Sequence, residues 1–112
     1  MIPLSERSNL FKKVVEDMEP VKRHVKIIKT LMAEQPAGII KMSQSTGIPV
    51  HKIRYSLRVL EKDGIISPSS EGAMLTPEFI DNKNQIVDEA KAFLDDLEKL
   101  YTELRLALIG KR

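Results

Sequence analysis

The fold is decided by residues 38–66, which read GIIKMSQSTGIPVHKIRYSLRVLEKDGII. A short helix is expected over 38–46, and Gly47 suits its C-terminal end because glycine tolerates a positive φ. A second helix begins about three residues later, with Pro49 near its first turn, where a missing N–H costs nothing. The stretch therefore predicts two helices joined by a tight turn.

The second helix has two contrasting sides. Ile53, Leu57 and Leu60 recur at helical spacing and predict its buried stripe. Its outer side carries cations and hydrogen-bonding groups, namely His51, Lys52, Arg54, Tyr55 and Arg58. A helix anchored in a core and cationic on its outer side can lie in the major groove of duplex DNA. We expect these five residues to read bases, although Tyr55 also fits a partly exposed packing role and Arg58 a surface ion pair with Glu61.

The net charge of +2 conceals an asymmetry along the chain. Residues 1–75 hold 12 Lys and Arg against 8 Asp and Glu, whereas residues 76–112 hold 6 against 8. Eight cations and one acid lie between Val21 and Leu60, which is the footprint expected of a polyanion-binding surface. The alternative is that these cations only solvate helix surfaces. The residues predicted to contact the DNA backbone are Lys22, Lys26, Lys41, Gln44 and Ser45.

Composition narrows the class of protein. With 112 residues, 42% apolar and 30% charged, the chain fits one compact domain plus a projecting element. It has no cysteine, no apolar run of about 20 residues and no signal-peptide pattern, so we expect a cytoplasmic protein without membrane association. The two histidines are far apart and no glycine-rich phosphate loop occurs, so no enzyme, metal site or cofactor is predicted. No residue identifies a small-molecule effector.

Two helices are expected before the decisive stretch. One covers about 7–18, and Pro20 is expected to break or kink the chain before the next helix begins. The apolar side of that next helix is predicted to contain Val21, Val25, Ile28, Leu31 and Met32. His24 lies at the edge of this stripe and is expected to be a partly buried packing residue.

A small hairpin is expected after the second helix of the decisive stretch. Asp63 and Gly64 close that helix, and strands are predicted at 65–67 and 73–75 around a turn at 68–72. A two-stranded ribbon is too small to be stable alone, so it is expected to pack on the helices.

The last helix is expected to run unbroken from Thr76, as N-cap, to Leu108. It contains a heptad seam formed by Val87, Ala90, Leu94, Leu97, Tyr101, Leu104 and Leu108. A flanking apolar row at Ile86, Phe93 and Leu100 widens the stripe, and Lys83 suggests that pairing starts near Val87. So long an apolar helix needs a partner, most simply a second copy of the chain. Folding back on 7–18 is the alternative, and parallel or antiparallel pairing is left open.

Three segments carry a family resemblance: Gly47-Ile48-Pro49, then Lys52 to Leu57, then Leu60-Glu61-Lys62-Asp63-Gly64-Ile65-Ile66. Together they resemble winged helix-turn-helix transcriptional regulators, particularly small archaeal and bacterial ones. The resemblance covers about 21–76 and the last helix, and it implies a winged domain over 20–76 and a dimerisation helix over 77–112. Residues 1–19 are expected to form an N-terminal helix, with a place in the dimer interface as one option. The resemblance also implies a homodimer bound to operator-like double-stranded DNA, with a groove-facing stretch at Val50, His51, Lys52, Arg54, Tyr55 and Arg58.

One feature departs from that pattern. The expected wing tip at 68–72 has no Lys or Arg and contains Glu71, which would repel phosphate. We therefore expect little or no DNA contact from the wing. The competing hypothesis is a winged-helix protein-interaction module or a subunit of a larger complex, because this fold also serves in protein recognition.

Overall fold

The computed structural model describes residues 9–110, and over this range the chain is mainly helical with one antiparallel hairpin. The elements in chain order are α1 (Lys12–Ala33), α2 (Ile39–Thr46), α3 (Val50–Lys62), β1 (Ile66–Ser69), β2 (Gly72–Leu75), α4 (Pro77–Asp81) and α5 (Lys83–Leu108). The chain divides into two compact units, Met1–Phe79 and Ile80–Arg112. The prediction of a mainly helical chain with a small hairpin and a long C-terminal helix is confirmed.

The tight turn between α2 and α3 forms as the sequence predicts. Gly47 adopts a left-handed conformation with φ of 78°, and its N–H donates to the carbonyl of Ser43 at 2.9 Å. Pro49 immediately precedes α3. Ser43 fixes the turn from the other side, because its hydroxyl donates to the carbonyl of Ile48 at 2.6 Å.

The C-terminus of α3 ends in a Schellman motif. Gly64 has a φ of 77° and donates its N–H to the carbonyl of Glu61 at 3.0 Å. The N–H of Ile65 reaches back to the carbonyl of Leu60 at 2.9 Å. These two bonds satisfy carbonyls that the helix leaves without partners and direct the chain into β1.

The core of the first unit collects apolar residues from all its elements. They are Ile27 and Leu31 of α1, Ala37, Met42 of α2, Ile53 and Leu60 of α3, Ile66, Ala73 and Leu75 of the hairpin, and Phe79 of α4. The predicted buried stripe of α3 is confirmed at Ile53 and Leu60, whereas Leu57 is half-buried.

The predicted break before Pro20 is wrong, because α1 runs continuously from Lys12 to Ala33 with Pro20 inside it. An interior proline costs a helix about 3 kcal/mol, since one backbone hydrogen bond is lost and its ring crowds the preceding turn. Packing of the C-terminal half of α1 through Ile27 and Leu31 offsets that cost. Residues 12–19 therefore belong to the same helix as the segment after Pro20, and the predicted helix start at 7 lies outside the described residues.

The buried side of α1 differs in part from the predicted one. Leu31 is fully buried as predicted and Ile28 is half-buried, but Val21, Val25 and Met32 are 53%, 57% and 51% exposed, and Ile27 is fully buried instead. The sequence of α1 contains two apolar rows, and the i, i+4 pair at 27 and 31 takes the core position. The longer row is left on the surface.

The hairpin is tighter than predicted. Its register pairs Ile66 with Leu75 and Ser69 with Gly72, so that the turn is only Ser70 and Glu71. Pro68 is tolerated inside β1 because of where it pairs. The N–H and the carbonyl of its partner Ala73 both point away from β1, towards Ala37. Pro68 therefore occupies a non-hydrogen-bonded pair and needs no N–H.

A third segment pairs with the free edge of β2. Ala37 donates its N–H to the carbonyl of Ala73 at 3.1 Å and accepts the N–H of Ala73 at 2.8 Å. Gly72 is required beside this bridge, because it has a φ of 129° and a Cβ there would lie 2.4 Å from the carbonyl carbon of Ala37. This bridge holds the hairpin against the α1–α2 connection.

The last helix also differs from the prediction, because it is not continuous from Thr76. Thr76 caps α4 as predicted, since its hydroxyl accepts the N–H of Phe79 at 3.1 Å. The helix then stops at Asn82, whose φ of −109° and ψ of 16° are not helical. Asparagine disfavours the interior of a helix, because its side chain hydrogen-bonds nearby backbone groups in non-helical conformations. The carbonyl of Asn82 accepts the N–H of Gln85 at 3.0 Å and so begins α5.

The helix α5, considered by itself, has no buried residue. Within residues 9–110 the structure contains no helix that combines the length and the apolar character needed to cross a bilayer.

Candidate nucleic-acid interface

An exposed strip of polar and cationic side chains follows one side of α3. With about 100° per residue, positions i, i+3, i+4, i+7 and i+11 share a side of a helix. These positions are His51, Arg54, Tyr55, Arg58 and Lys62, all of them exposed. We call them the α3 strip. The opposite side is anchored by the buried residues Ile53, Ser56 and Leu60, so the strip is held outward by the core.

The two arginines of the α3 strip have no acidic partner between residues 9 and 110. Arg54 and Arg58 form no ion pair with any residue between 9 and 110. The surface ion pair of Arg58 with Glu61 that the sequence left open is thus absent from the described part of the chain. Both guanidinium groups keep their full set of donors for an external acceptor.

Lys62 is a member of the strip that sequence reasoning missed. It lies in the last turn of α3, where a cation is readily attributed to the helix dipole. Its spacing of four residues from Arg58 was the available signal.

Lys52 lies outside the α3 strip. It lies about 100° around α3 from His51 and lines a shallow cavity at the α2–α3 turn. Lys22, Arg23 and Lys26 of α1 line the same cavity, as does Glu19, whose carboxylate pairs with Lys22 at 3.2 Å. The structure therefore brings Lys52 together with two of the predicted backbone contacts, about 160° around α3 from Arg54 and about 120° from Arg58. We call Lys22, Lys26 and Lys52 the lysine cavity.

The predicted backbone contacts on α2 differ in their availability. Lys41 pairs with Glu34 at 3.1 Å on the surface, and the hydroxyl of Ser45 donates to the carbonyl of Met42 at 3.3 Å. Gln44 is exposed. Lys41 and Ser45 line a groove between α1 and α2 that Lys26 also reaches. Lys26 thus borders both the groove and the lysine cavity.

A polar cluster ties α3 to α1 beneath the strip. Ser56 is fully buried, and its hydroxyl accepts from Nε of Arg23 at 3.0 Å and lies 2.9 Å from Nδ1 of His24. Burial and the positive charge of Arg23 lower the pKa of His24. Nδ1 of a neutral His24 can accept a hydrogen bond from the Ser56 hydroxyl, so this buried hydroxyl both accepts and donates. His24 is half-buried, as predicted.

Tyr55 is fixed by the same arrangement. The guanidinium carbon of Arg23 lies 5.9 Å from the centre of the Tyr55 ring, within the range of a cation–π contact. The ring is nevertheless 52% exposed. Tyr55 therefore combines the packing role and the outward position that the sequence left as alternatives.

The tip of the hairpin is neutral to acidic. The hydroxyl of Ser69 donates to the carbonyl of Gly72 at 2.6 Å and accepts the N–H of Glu71 at 3.3 Å, which stabilises the turn. No Lys or Arg occurs between 63 and 82. The tip thus offers phosphate no cation.

The predicted dimerisation residues lie along α5 without a break in the helix. All are exposed except the half-buried Leu104, and they are Val87, Ala90, Leu94, Leu97, Tyr101, Leu104 and Leu108. The flanking row at Ile86, Phe93 and Leu100 is exposed as well.

Neither a protein-family model, nor a curated protein, nor a solved structure matches this chain. Between residues 9 and 110 no group of three or more His, Asp or Glu side chains is placed to hold a metal ion. The function is therefore inferred from the chain's own residues.

Proposed function

We propose that this chain is a winged helix-turn-helix protein that binds double-stranded DNA as a homodimer and regulates transcription. The α3 strip carries this proposal. It combines two arginines that form no ion pair with any residue between 9 and 110 with an imidazole, a phenol and a lysine, along one exposed side of a helix whose other side is buried. A major groove about 12 Å wide admits such a helix.

The topology supports the winged assignment. Two helices joined by a tight turn lead directly into a hairpin, and Ala37 adds a third short pairing segment to β2. The hairpin then corresponds to the wing. Its acidic tip favours a wing that makes little contact with phosphate.

The division between the α3 strip and the lysine cavity supports a division of roles. Arg54 and Arg58 are suited to bidentate contact with guanine O6 and N7. The lysine cavity is suited to the phosphate backbone, because clustered ammonium groups attract anions without fixing an orientation. A homodimer formed through α5 would present two α3 strips to half-sites about 34 Å apart.

The test is fluorescence anisotropy of labelled duplex DNA with the purified protein at two salt concentrations. We expect binding that weakens steeply with salt and is lost at least tenfold in the double variant Arg54→Ala, Arg58→Ala. The matched control is Lys12→Ala with Lys99→Ala, which removes the same charge from exposed positions elsewhere and should retain most of the affinity. Binding that ignores salt, or equal losses in both double variants, would contradict the proposal.

A protein-interaction module is the second candidate, and the exposed apolar residues of α5 together with the acidic hairpin tip favour it. The same titration separates the two candidates. An interaction module would bind duplex DNA no better than the Arg54→Ala, Arg58→Ala variant does.

A further inference from the structure

A long apolar row on α1 is largely exposed among the residues that the structure describes. Its members recur at alternating steps of three and four residues, and they are Phe11, Val14, Met18, Val21, Val25, Ile28 and Met32. We call this row the α1 seam. Five of its seven members are exposed, and only Phe11 and Ile28 are half-buried. A heptad row of this length is the pattern of a helix that packs against another helix.

The apolar stripe of α5 is wider than one partner requires. The predicted dimerisation residues already supply the two rows that a two-stranded coil uses. Ile86, Phe93 and Leu100 form a third row beside them, and these side chains are 41%, 54% and 44% exposed. A stripe this wide exceeds the narrow a/d seam of a two-stranded coiled coil, so it leaves room for a second helix. The place of this second helix is therefore still open when α5 pairs with its copy.

Charge matches the α1 seam to α5. The third row of α5 has three members between Ile86 and Leu100 and is shorter than the α1 seam, which has seven. The helix α1 carries six cations against three acids, a net charge of +3, whereas α5 carries four against six, a net charge of −2. Opposite net charges favour pairing of α1 with α5 over pairing of α1 with α1.

We infer that the α1 seam of each protomer packs on the Ile86–Phe93–Leu100 row of α5 in a second copy of this chain. This inference rests on the homodimer of the proposed function and specifies its second contact. Two reciprocal contacts close a two-fold assembly in which two α5 helices and two α1 helices form a four-helix arrangement.

Crosslinking between differently tagged chains tests this contact, because the natural chain has no cysteine. One chain carries Val21→Cys and the other Phe93→Cys, and the co-purified proteins are treated with a short bismaleimide. A product that contains both tags can form only between copies. We expect it at least tenfold above the control pair of Glu16→Cys with Lys99→Cys, which occupy the opposite sides of the same two helices.

The outcomes separate this inference from the proposed function. Light scattering that shows a monomer overturns both the homodimer and this contact. A dimer whose Val21→Cys and Phe93→Cys chains crosslink no better than the control pair overturns this contact alone. The same holds if crosslinking occurs only when both cysteines are on one chain, or if Val21→Cys links mainly to itself.

A second variant measures the contact without crosslinking. Because Val21 and Val25 are exposed within the chain, changing both to Gln leaves the core of the first unit intact. We expect the dimer dissociation constant to rise at least tenfold while the circular dichroism at low temperature stays the same. An unchanged dissociation constant would overturn the inference.

Discussion

Substitution of Lys52 should change how DNA binding depends on salt and leave sequence preference unchanged. Lys52 lies with Lys22 and Lys26 in the lysine cavity, about 100° around α3 from His51. Each phosphate contact contributes about 0.9 to the slope of log affinity against log salt. A homodimer loses two such contacts in Lys52→Ala, so its slope should fall by about 1.8.

The size of this effect can be stated as an affinity change. When salt is raised from about 50 to about 200 mM, a slope change of about 1.8 corresponds to a factor of about 12 in affinity. The affinity of the variant should therefore fall about 12-fold less over this range than that of the wild type. Arg58→Ala should behave differently, because a bidentate guanine contact discriminates by about 1–3 kcal/mol. Its preference for a selected duplex over a scrambled one should fall by about 5- to 150-fold per half-site.

The assay is anisotropy with a duplex selected from a random pool, a scrambled duplex of the same composition, and four salt concentrations. Lys99→Ala serves as the charge-matched control on α5. If Lys52→Ala lowers the preference for the selected duplex and leaves the slope unchanged, then the division between α3 strip and lysine cavity is wrong.

Three further predictions concern the scaffold. Gly72→Ala should lower the free energy of unfolding by about 2–4 kcal/mol through a strained φ and a clash with the α1–α2 connection. Gly38→Ala has nothing within 4 Å of its new Cβ and loses only the preference for Gly at the N-cap of α2, so it should cost about 1 kcal/mol or less, and urea titration of both variants decides this. Because burial and Arg23 lower the pKa of His24, the unfolded chain takes up a proton at higher pH than the folded one, so stability should fall on acidification below about pH 6.5. His24→Gln should weaken that pH dependence in urea titrations, and an unchanged dependence would assign it to other groups. Glu71→Ala should leave DNA affinity within about twofold, since a larger gain would place the hairpin tip against phosphate.

The sequence predicted those features that depend on local chemistry. Gly47 and Gly64 adopt the left-handed geometry expected of helix ends, and Thr76 caps α4. Sequence reasoning failed where two local solutions competed. Pro20 predicted a break, but the helix continues through it because its C-terminal half packs in the core. Asn82 ends α4, although the heptad pattern around it did not predict an end.

The candidate site was predicted residue by residue but not in its grouping. A helical pattern places Lys52 and Arg54 about 160° apart on α3, yet only the packing of α1 against α3 brings Lys52 beside Lys22 and Lys26. The role of Ser56 was invisible for the same reason. A serine in the apolar stripe of α3 has meaning only when Arg23 and His24 arrive from a segment more than 30 residues away.

Three successive residues of α1 lie in three different environments. Val25 is 57% exposed in the α1 seam, Lys26 borders the lysine cavity, and Ile27 is fully buried in the core. Successive residues of a helix point about 100° apart, so one helix can contribute to three different surfaces at once. If the α1 seam packs on a second copy, the same rigid helix links the dimer contact to the lysines and, through Arg23, to α3. The spacing of the two α3 strips would then be set by helix packing, because no flexible linker lies between the dimer contact and the cations.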